Sequence, residues 1–268
     1  DYVQALRHLD AIMRLRPALQ ADITRAMVPF LRAPNMVEAF VEAGQSNPPW
    51  MPLFIDNAAR DAQSADGLYR LMRELAAKPA VDLPPAAITQ VVQAALSRGE
   101  DGQAVAVYRA FFPSSASSDG SQIFDGGFQG LAGLPPFGWT FNDQPGGNAA
   151  RDTATGLSVS VRSAAASDLV TQNLVVVPGS YDFDAEVQSA SLSGEPALAW
   201  SLRCVRDGFV VGQLIVPAAV DRRRMLSARV TVPEGCSSLV LALRNGGPGV
   251  SGQAVLTGVK LRAVRSLL

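Results

Sequence analysis

Asp182, Asp184 and Glu186 stand two residues apart in the stretch Tyr-Asp-Phe-Asp-Ala-Glu-Val. On an extended strand, residues at that spacing share one face, with about 7 Å from one carboxylate to the next. Paired catalytic carboxylates of glycosidases stand roughly 5 to 10 Å apart, so a hydrolytic pair is one chemistry the spacing permits. A calcium site is a second, because hard cations take carboxylate oxygens. The third is a solvated acidic face. Tyr181, Phe183, Ala185 and Val187 alternate with the acids as on any half-buried strand, and Arg203 or Arg244 would pair with them across a sheet. The alternation favours this third reading.

Other reactions lack their residues. His8 is the sole histidine, so no Ser-His-Asp, Cys-His or multi-histidine metal site can be assembled within the chain. No P-loop, GxGxxG or CxxC spacing occurs, and Gly246, Gly247 and Gly249 precede a strand pattern rather than a helix, which reads as a turn. Sugar binding calls for exposed rings that stack on C–H faces, with polar side chains for the hydroxyls. Trp200, Tyr181 and Phe183 fall on faces assigned to the core. Trp139 and Phe141 remain as platforms, with Phe209 and Trp50 as further rings, and Arg203, Arg206 and Asp207 supply hydrogen bonds at a loop tip. The one basic cluster, Arg222 to Arg224, has no interleaved aromatics and reads as a solvated turn or strand edge. With a formal net charge of -1 and a pI near 5.9, the chain lacks the basic excess of a nucleic-acid binder.

Cys204 and Cys236 are the only cysteines, and each adjoins a strand-like run. Joined, they close a loop of about 30 residues and contribute about 3 to 4 kcal/mol through the unfolded chain. Unjoined, they pack as two small hydrophobes. The disulfide is the favoured reading, and with it an oxidising compartment, periplasmic or secreted. No apolar run approaches the ~20 residues that span a bilayer. The chain starts at Asp1 without a signal-like segment, as expected of a processed or truncated product.

The elements that must position these residues fall into two halves. Residues 1–113 read as helices punctuated by prolines: Leu6, Leu9, Ile12 and Met13 form one stripe, and Leu19, Ile23, Met27, Phe30 and Leu31 a second. Residues 114–121 are Ser-rich and read as a linker. From residue 122 to 268 the period changes to two, predicting seven to nine short strands of an antiparallel β-sandwich or jelly roll. Phe124 to Phe128 and Pro136 to Asn142 read as aromatic strands, Pro145 to Asn148 as a turn, and Leu174 to Gln188 as a hairpin about Pro178-Gly-Ser.

Helices closing on Pro17, Pro79 and Pro113, with Pro79 and Pro113 34 residues apart, resemble the tetratricopeptide repeat family, whose units are antiparallel helix pairs. A generic solenoid of helical hairpins is the alternative. In the second half, Asp-Gly-Gly-Phe-Gln, Pro-Phe-Gly-Trp, Val-Pro-Gly-Ser-Tyr-Asp-Phe, Val-Pro-Glu-Gly and Thr-Gly-Val-Lys-Leu occur in an order that resembles the carbohydrate-binding jelly rolls of the galactose-binding-like superfamily. That resemblance implies two antiparallel sheets with neighbouring termini and a glycan site on a concave face or at loop tips. Such modules hold a structural calcium at positions that read Asp125, Gln129 and Gly258 here, so a metal through Asp125, Asp182 and Asp184 is an alternative to no cofactor. The expected protein is a non-catalytic envelope adaptor of polysaccharide synthesis or export. Its jelly roll binds a glycan and its helices a protein partner; the alternative is a protein-binding scaffold without a sugar ligand.

Overall fold

The computed structural model describes residues 2–113, 120–131, 133–142, 146–162 and 165–264. The chain divides into two compact units, Asp1–Pro113 and Ser114–Leu268. Most of the expected linker, residues 114–119, and the start of the turn expected at Pro145 lie outside the described residues.

The first unit contains α1 (Tyr2–Leu15), α2 (Gln20–Met27), α3 (Pro34–Gly44), α4 (Met51–Arg60), α5 (Ala65–Ala76), α6 (Pro85–Ser97) and α7 (Asp101–Phe111). Proline occupies the first or second position of α3, α4 and α6, where its missing N–H leaves no helical bond unmade. Each helix packs on the next but one, α1 on α3, α3 on α5 and α5 on α7, with α2 on α4 and α4 on α6. That is the contact pattern of antiparallel helix pairs stacked in a row. The second apolar stripe departs from expectation. Pro29 turns Val28–Arg32 into a 3-10 segment, which buries Leu31 but leaves Phe30 half exposed.

One polar cluster ties four of these helices together. Arg98, after α6, donates to the Ala59 carbonyl of α4, the Tyr69 hydroxyl of α5 and the Glu100 carboxylate that precedes α7. Tyr69 donates to Glu100 in turn. That hydroxyl, followed by the Arg98 guanidinium, holds the Glu100 carboxyl below its ordinary range, while burial and Glu100 push the Tyr69 phenol up to about 12.

The second unit is an antiparallel β-sandwich, so the chain joins helical hairpins to a sandwich as the change of period implies. Its strands are β1 (Thr140–Phe141), β2 (Gly147–Asp152), β3 (Gly156–Arg162), β4 (Asp168–Val175), β5 (Gly179–Ser193), β6 (Leu198–Cys204), β7 (Val210–Ile215), β8 (Ala219–Val220), β9 (Arg224–Val232), β10 (Ser238–Asn245) and β11 (Ser251–Ala263). One sheet runs β1-β4-β10-β6-β7. The other runs β2-β3-β11-β5, with β9 and β8 sharing the far edge of β5. Ser121 bridges Arg262 and the Gln122 N–H donates to Leu261, so the start of the unit lies beside its last strand.

Two expectations are corrected. Leu174 to Gln188 is no hairpin: β4 ends in one sheet and β5 begins in the other, so Val176 to Pro178 turns a corner between them. The Tyr181 hydroxyl donates to the Val177 carbonyl at 2.7 Å and pins that corner. Alternation reports which side chains are buried, not which strand lies alongside, so both topologies read alike. The aromatic strands are mostly turns, because Asp125 and Phe128 take φ of 46° and 57°, which a ladder does not accommodate; only Thr140–Phe141 pairs, with β4.

Phe128, Trp139 and Trp200 form the aromatic centre of the sandwich core, with ring centroids 5.1, 5.8 and 6.3 Å apart. Cys204 at the end of β6 and Cys236 before β10 are joined in a disulfide, Cα atoms 5.6 Å apart, across a separation of 32 residues.

Replacing both cysteines by alanine will lower the sandwich's stability by up to about 3 to 4 kcal/mol in denaturant titrations. In the helical unit, a carboxyl held low when folded stabilises above its unfolded pKa and loses that contribution as pH falls through the lowered folded value. Glu100→Gln will therefore flatten the acid limb of the unit's melting-temperature profile. A phenol raised to about 12 adds the opposite limb, a loss as pH rises from the ordinary tyrosine value, which Tyr69→Phe removes.

Candidate functional site

The acidic row of β5 is a charge-balanced outer face. Tyr181, Phe183, Ala185 and Val187 point into the core, and Asp182, Asp184 and Glu186 point out. Asp182 accepts from Arg229 of β9 at 3.1 Å, Asp184 from Arg262 of β11 at 2.6 Å, and Glu186 from Arg223 Nη2 at 2.6 Å. Arg203 and Arg244, the partners anticipated for them, lie on the other sheet. With an arginine on each acid, the row offers no free carboxylate pair for hydrolysis.

Asp125 serves a turn. Its Oδ1 accepts the Gln129 N–H at 2.7 Å, its Oδ2 accepts the Gly130 N–H at 3.1 Å and lies 3.6 Å from Arg151 Nη2, and its carbonyl accepts Trp139 Nε1 at 2.9 Å. The Val259 N–H donates to the Gly126 carbonyl, and a Cβ on Gly126 would stand 2.1 Å from the Val259 oxygen, so the turn lies backbone to backbone on β11. These residues do not fit calcium. The carboxylate is ringed by N–H donors, Gly258 brings no side-chain oxygen, Asp182 and Asp184 are held by arginines, and among the described residues no three His, Cys, Asp or Glu converge.

The ring platforms are largely withdrawn from solvent. Trp139, a candidate platform, is 7% exposed and sealed against Phe128 and Trp200, so it offers no ring to a ligand: its indole N–H and its ring are both consumed by the turn and the core. Trp50 is buried in the helical unit, donating to Asp10. Phe141 is 36% exposed, with the Arg151 guanidinium 5.4 Å above its ring. Phe209 is exposed in the turn between β6 and β7, where Asp207 Oδ1 accepts its N–H and Arg206 faces Gly235.

Arg203 belongs to a different group from Arg206 and Asp207. Leu198, Trp200, Leu202 and Cys204 of β6 face the core, which turns Ala199, Ser201 and Arg203 outward; on β10 the same alternation turns Ser238, Val240, Ala242 and Arg244 outward. Arg203 reaches over β10 to the Asp168 carboxylate on β4, and the crossing passes Ala242, which is fully buried. Arg244 Nη1 stands 3.8 Å from Asp168 Oδ1, outside hydrogen-bond range. Among the described residues six buried side-chain polar atoms have no hydrogen-bond partner, and three of them, Asp168 Oδ1, Arg203 Nε and Ser238 Oγ, belong to this face. Thr171, Asn173 and Gln213 extend its polar surface on β4 and β7. Asp168 and Arg244 carry no local motif; only the pairing of β4 with β10 brings them to Arg203.

No family model matches the chain, and no curated protein matches it. Solved structures similar to it include a carbohydrate binding module from Cellvibrio mixtus lichenase 5A in complex with cellotriose, 14% identical over 47% of this chain and 92% of that chain, TM-score 0.30. A second is TmCBM61 in complex with β-1,4-galactotriose, 8% identical over 47% and 88%, TM-score 0.33. A third is an arabinose-bound α-L-arabinofuranosidase, 14% identical over 56% of this chain and 28% of that one, TM-score 0.40. At these scores the likenesses say nothing of what this chain binds.

The Asp125 turn makes a prediction of its own. Asp125→Ala strands two N–H donors and the Arg151 guanidinium, and will cost about 2 to 3 kcal/mol in chemical denaturation. Tryptophan fluorescence will shift to the red as Trp139 loses its seat, and added calcium will not restore either signal.

Proposed function

We propose that this chain is a non-catalytic, extracytoplasmic adaptor whose sandwich binds a glycan on the outer face of β4, β10, β6 and β7, and whose helical hairpins dock a protein partner in polysaccharide synthesis or export. The observation that carries the glycan reading is the contrast between the two outer faces. On β5 each carboxylate has an arginine of its own, whereas on the other face Arg203 and Arg244 share the one carboxylate of Asp168, and Asp168 Oδ1, Arg203 Nε and Ser238 Oγ lie just beneath the surface without a hydrogen-bond partner. Unmet donors and acceptors interspersed on one face suit a ligand whose hydroxyls both donate and accept. Asp168 is a lone acid between two arginines, and a glycosidase needs two carboxyls across its bond. The disulfide suits an oxidising compartment, and no helix among the described residues is long and apolar enough to cross a membrane.

A second reading, a protein-binding scaffold without a sugar ligand, has its own support. No tryptophan faces outward on the sandwich, and Val205, Phe209, Val210 and Ile215 are more than half or half exposed around β7. Glycan-array screening followed by isothermal titration separates the two. Binding to at least one surface or exported polysaccharide, weakened about tenfold by Arg203→Ala and by Asp168→Asn, is the expected result, the size of a lost hydrogen bond to a charged group. Absence of binding to every glycan tested sinks the first reading in favour of the second.

A further inference from the structure

The opposite sheet holds a cleft that the glycan reading leaves unused. It has a volume of about 450 Å³ and is lined by Gln129, Thr155, Gln188, Arg223 and Thr257, with backbone at Gly127 and Gly156. Volumes of this size accommodate small organic ligands.

Its floor is made by two β-bulges placed side by side. On β5, Gln188 is the extra residue between Val187, which pairs with Leu256, and Ser189, which pairs with Val255. On β11, Thr257 is the extra residue between Leu256 and Gly258, which pairs with Glu186. Each insertion shifts the ladder by one residue and the other shifts it back. The register of β5 against β11 is therefore the same on both sides, while on each strand the inward row steps by one residue, from Phe183, Ala185 and Val187 to Ala190 on β5 and from Ala254 and Leu256 to Val259 and Leu261 on β11. The bulges keep both rows in the core, and locally they turn two side chains, Gln188 and Thr257, into one recess.

The chemistry of that recess is specific. Thr257 Oγ1 is buried with no hydrogen-bond partner, and Gln188 is exposed beside it. Gln129 donates its amide to the Gly127 carbonyl, which leaves its Oε1 as an acceptor; Thr155 donates its hydroxyl to Asp152, which leaves its oxygen to accept. Arg223 spends Nε and Nη2 on Glu186, leaving Nη1 as a donor. A free anion would meet the Glu186 carboxylate behind that arginine. A cation would find only this one acid, already paired. Interleaved neutral donors and acceptors match hydroxyl groups, each of which donates once and accepts twice.

We propose that this cleft is a second ligand site, separate from the Arg203 face, for a neutral polyhydroxylated molecule the size of one sugar residue. Gln188 contacts the ligand, Thr257 reaches it by turning its buried hydroxyl into the cleft, and the Glu186 to Arg223 pair orients the donor at its rim.

The test is titration of the ¹⁵N-labelled full chain with methyl α-D-glucopyranoside, methyl α-D-galactopyranoside and glycerol at millimolar concentration, followed by amide correlation spectra. The expected result is saturable shifts of the Gln129 and Gln188 side-chain amides and of the Thr257 backbone with at least one probe. Thr257→Val and Gln188→Ala will each weaken it roughly threefold to tenfold, the loss of one neutral hydrogen bond. Because a lone buried hydroxyl costs stability, Thr257→Val will keep or raise the melting temperature, which separates lost binding from misfolding. Arg203→Ala will leave the shifts of Gln129, Gln188 and Thr257 unchanged. The proposal is overturned if no probe gives a saturable shift at the cleft, if both cleft variants bind like the parent, or if Arg203→Ala alone abolishes the shifts.

Discussion

The sandwich depends on β5 being paired along both edges, with β11 on one side and β9 and β8 on the other. A strand held on both sides cannot slip, because a one-residue shift would carry Tyr181, Phe183, Ala185 and Val187 out of the core and the acids into it. The outer row is then matched residue by residue to Arg229, Arg262 and Arg223. These pairs are solvent-facing and contribute little stability individually. Their effect is to cancel the charge of a row that would otherwise repel itself.

Against that fixed sheet the rest of the unit is assembled by close backbone approaches and by one buried polar turn. Asp125 gathers two N–H groups and the Trp139 indole, which lays Phe128 and Trp139 onto Trp200 of the facing sheet. Gln172, buried on β4, exchanges two hydrogen bonds with the Phe124 backbone and substitutes for the strand that this segment does not form. The disulfide fastens the end of β6 to the segment entering β10, beside the strands that carry Arg203 and Arg244. Stability and presentation of the polar face therefore share the same supports.

The two faces differ in a way that matters for function. On the β5 side the charged side chains are long and mutually paired, and a recess arises where two bulges interrupt the ladder. On the β6 and β10 side the central residues are small, Ala199, Ser201 and Ala242, and a single arginine lies across them. Saturated charge makes the first face inert outside its cleft. Incomplete pairing around Asp168 keeps the second open to a hydrogen-bonding ligand.

Much of this was legible in the chain itself. The helical character of the first half, the change to period two, the inward set of β5 and the buried places of Tyr181, Phe183 and Trp200 follow from local pattern, because burial acts on each residue's own periodicity, although Ile12, Leu19 and Phe30 of the two helical stripes stand exposed. The union of Cys204 with Cys236 was favoured on the same local grounds. What local pattern could not contain was which elements meet. Whether Leu174 to Gln188 closes as a hairpin or crosses between sheets, which arginine takes which acid, and whether Trp139 faces sugar or core all depend on residues tens of positions apart. Asp168 is unremarked in sequence and becomes the acid that Arg203 and Arg244 share only through β10, and Gln188 and Thr257 become one recess only because two bulges fall opposite each other. The sequence by itself determined the elements and their buried faces; the tertiary structure alone decided the neighbours, since alternation encodes exposure and pairing encodes contact.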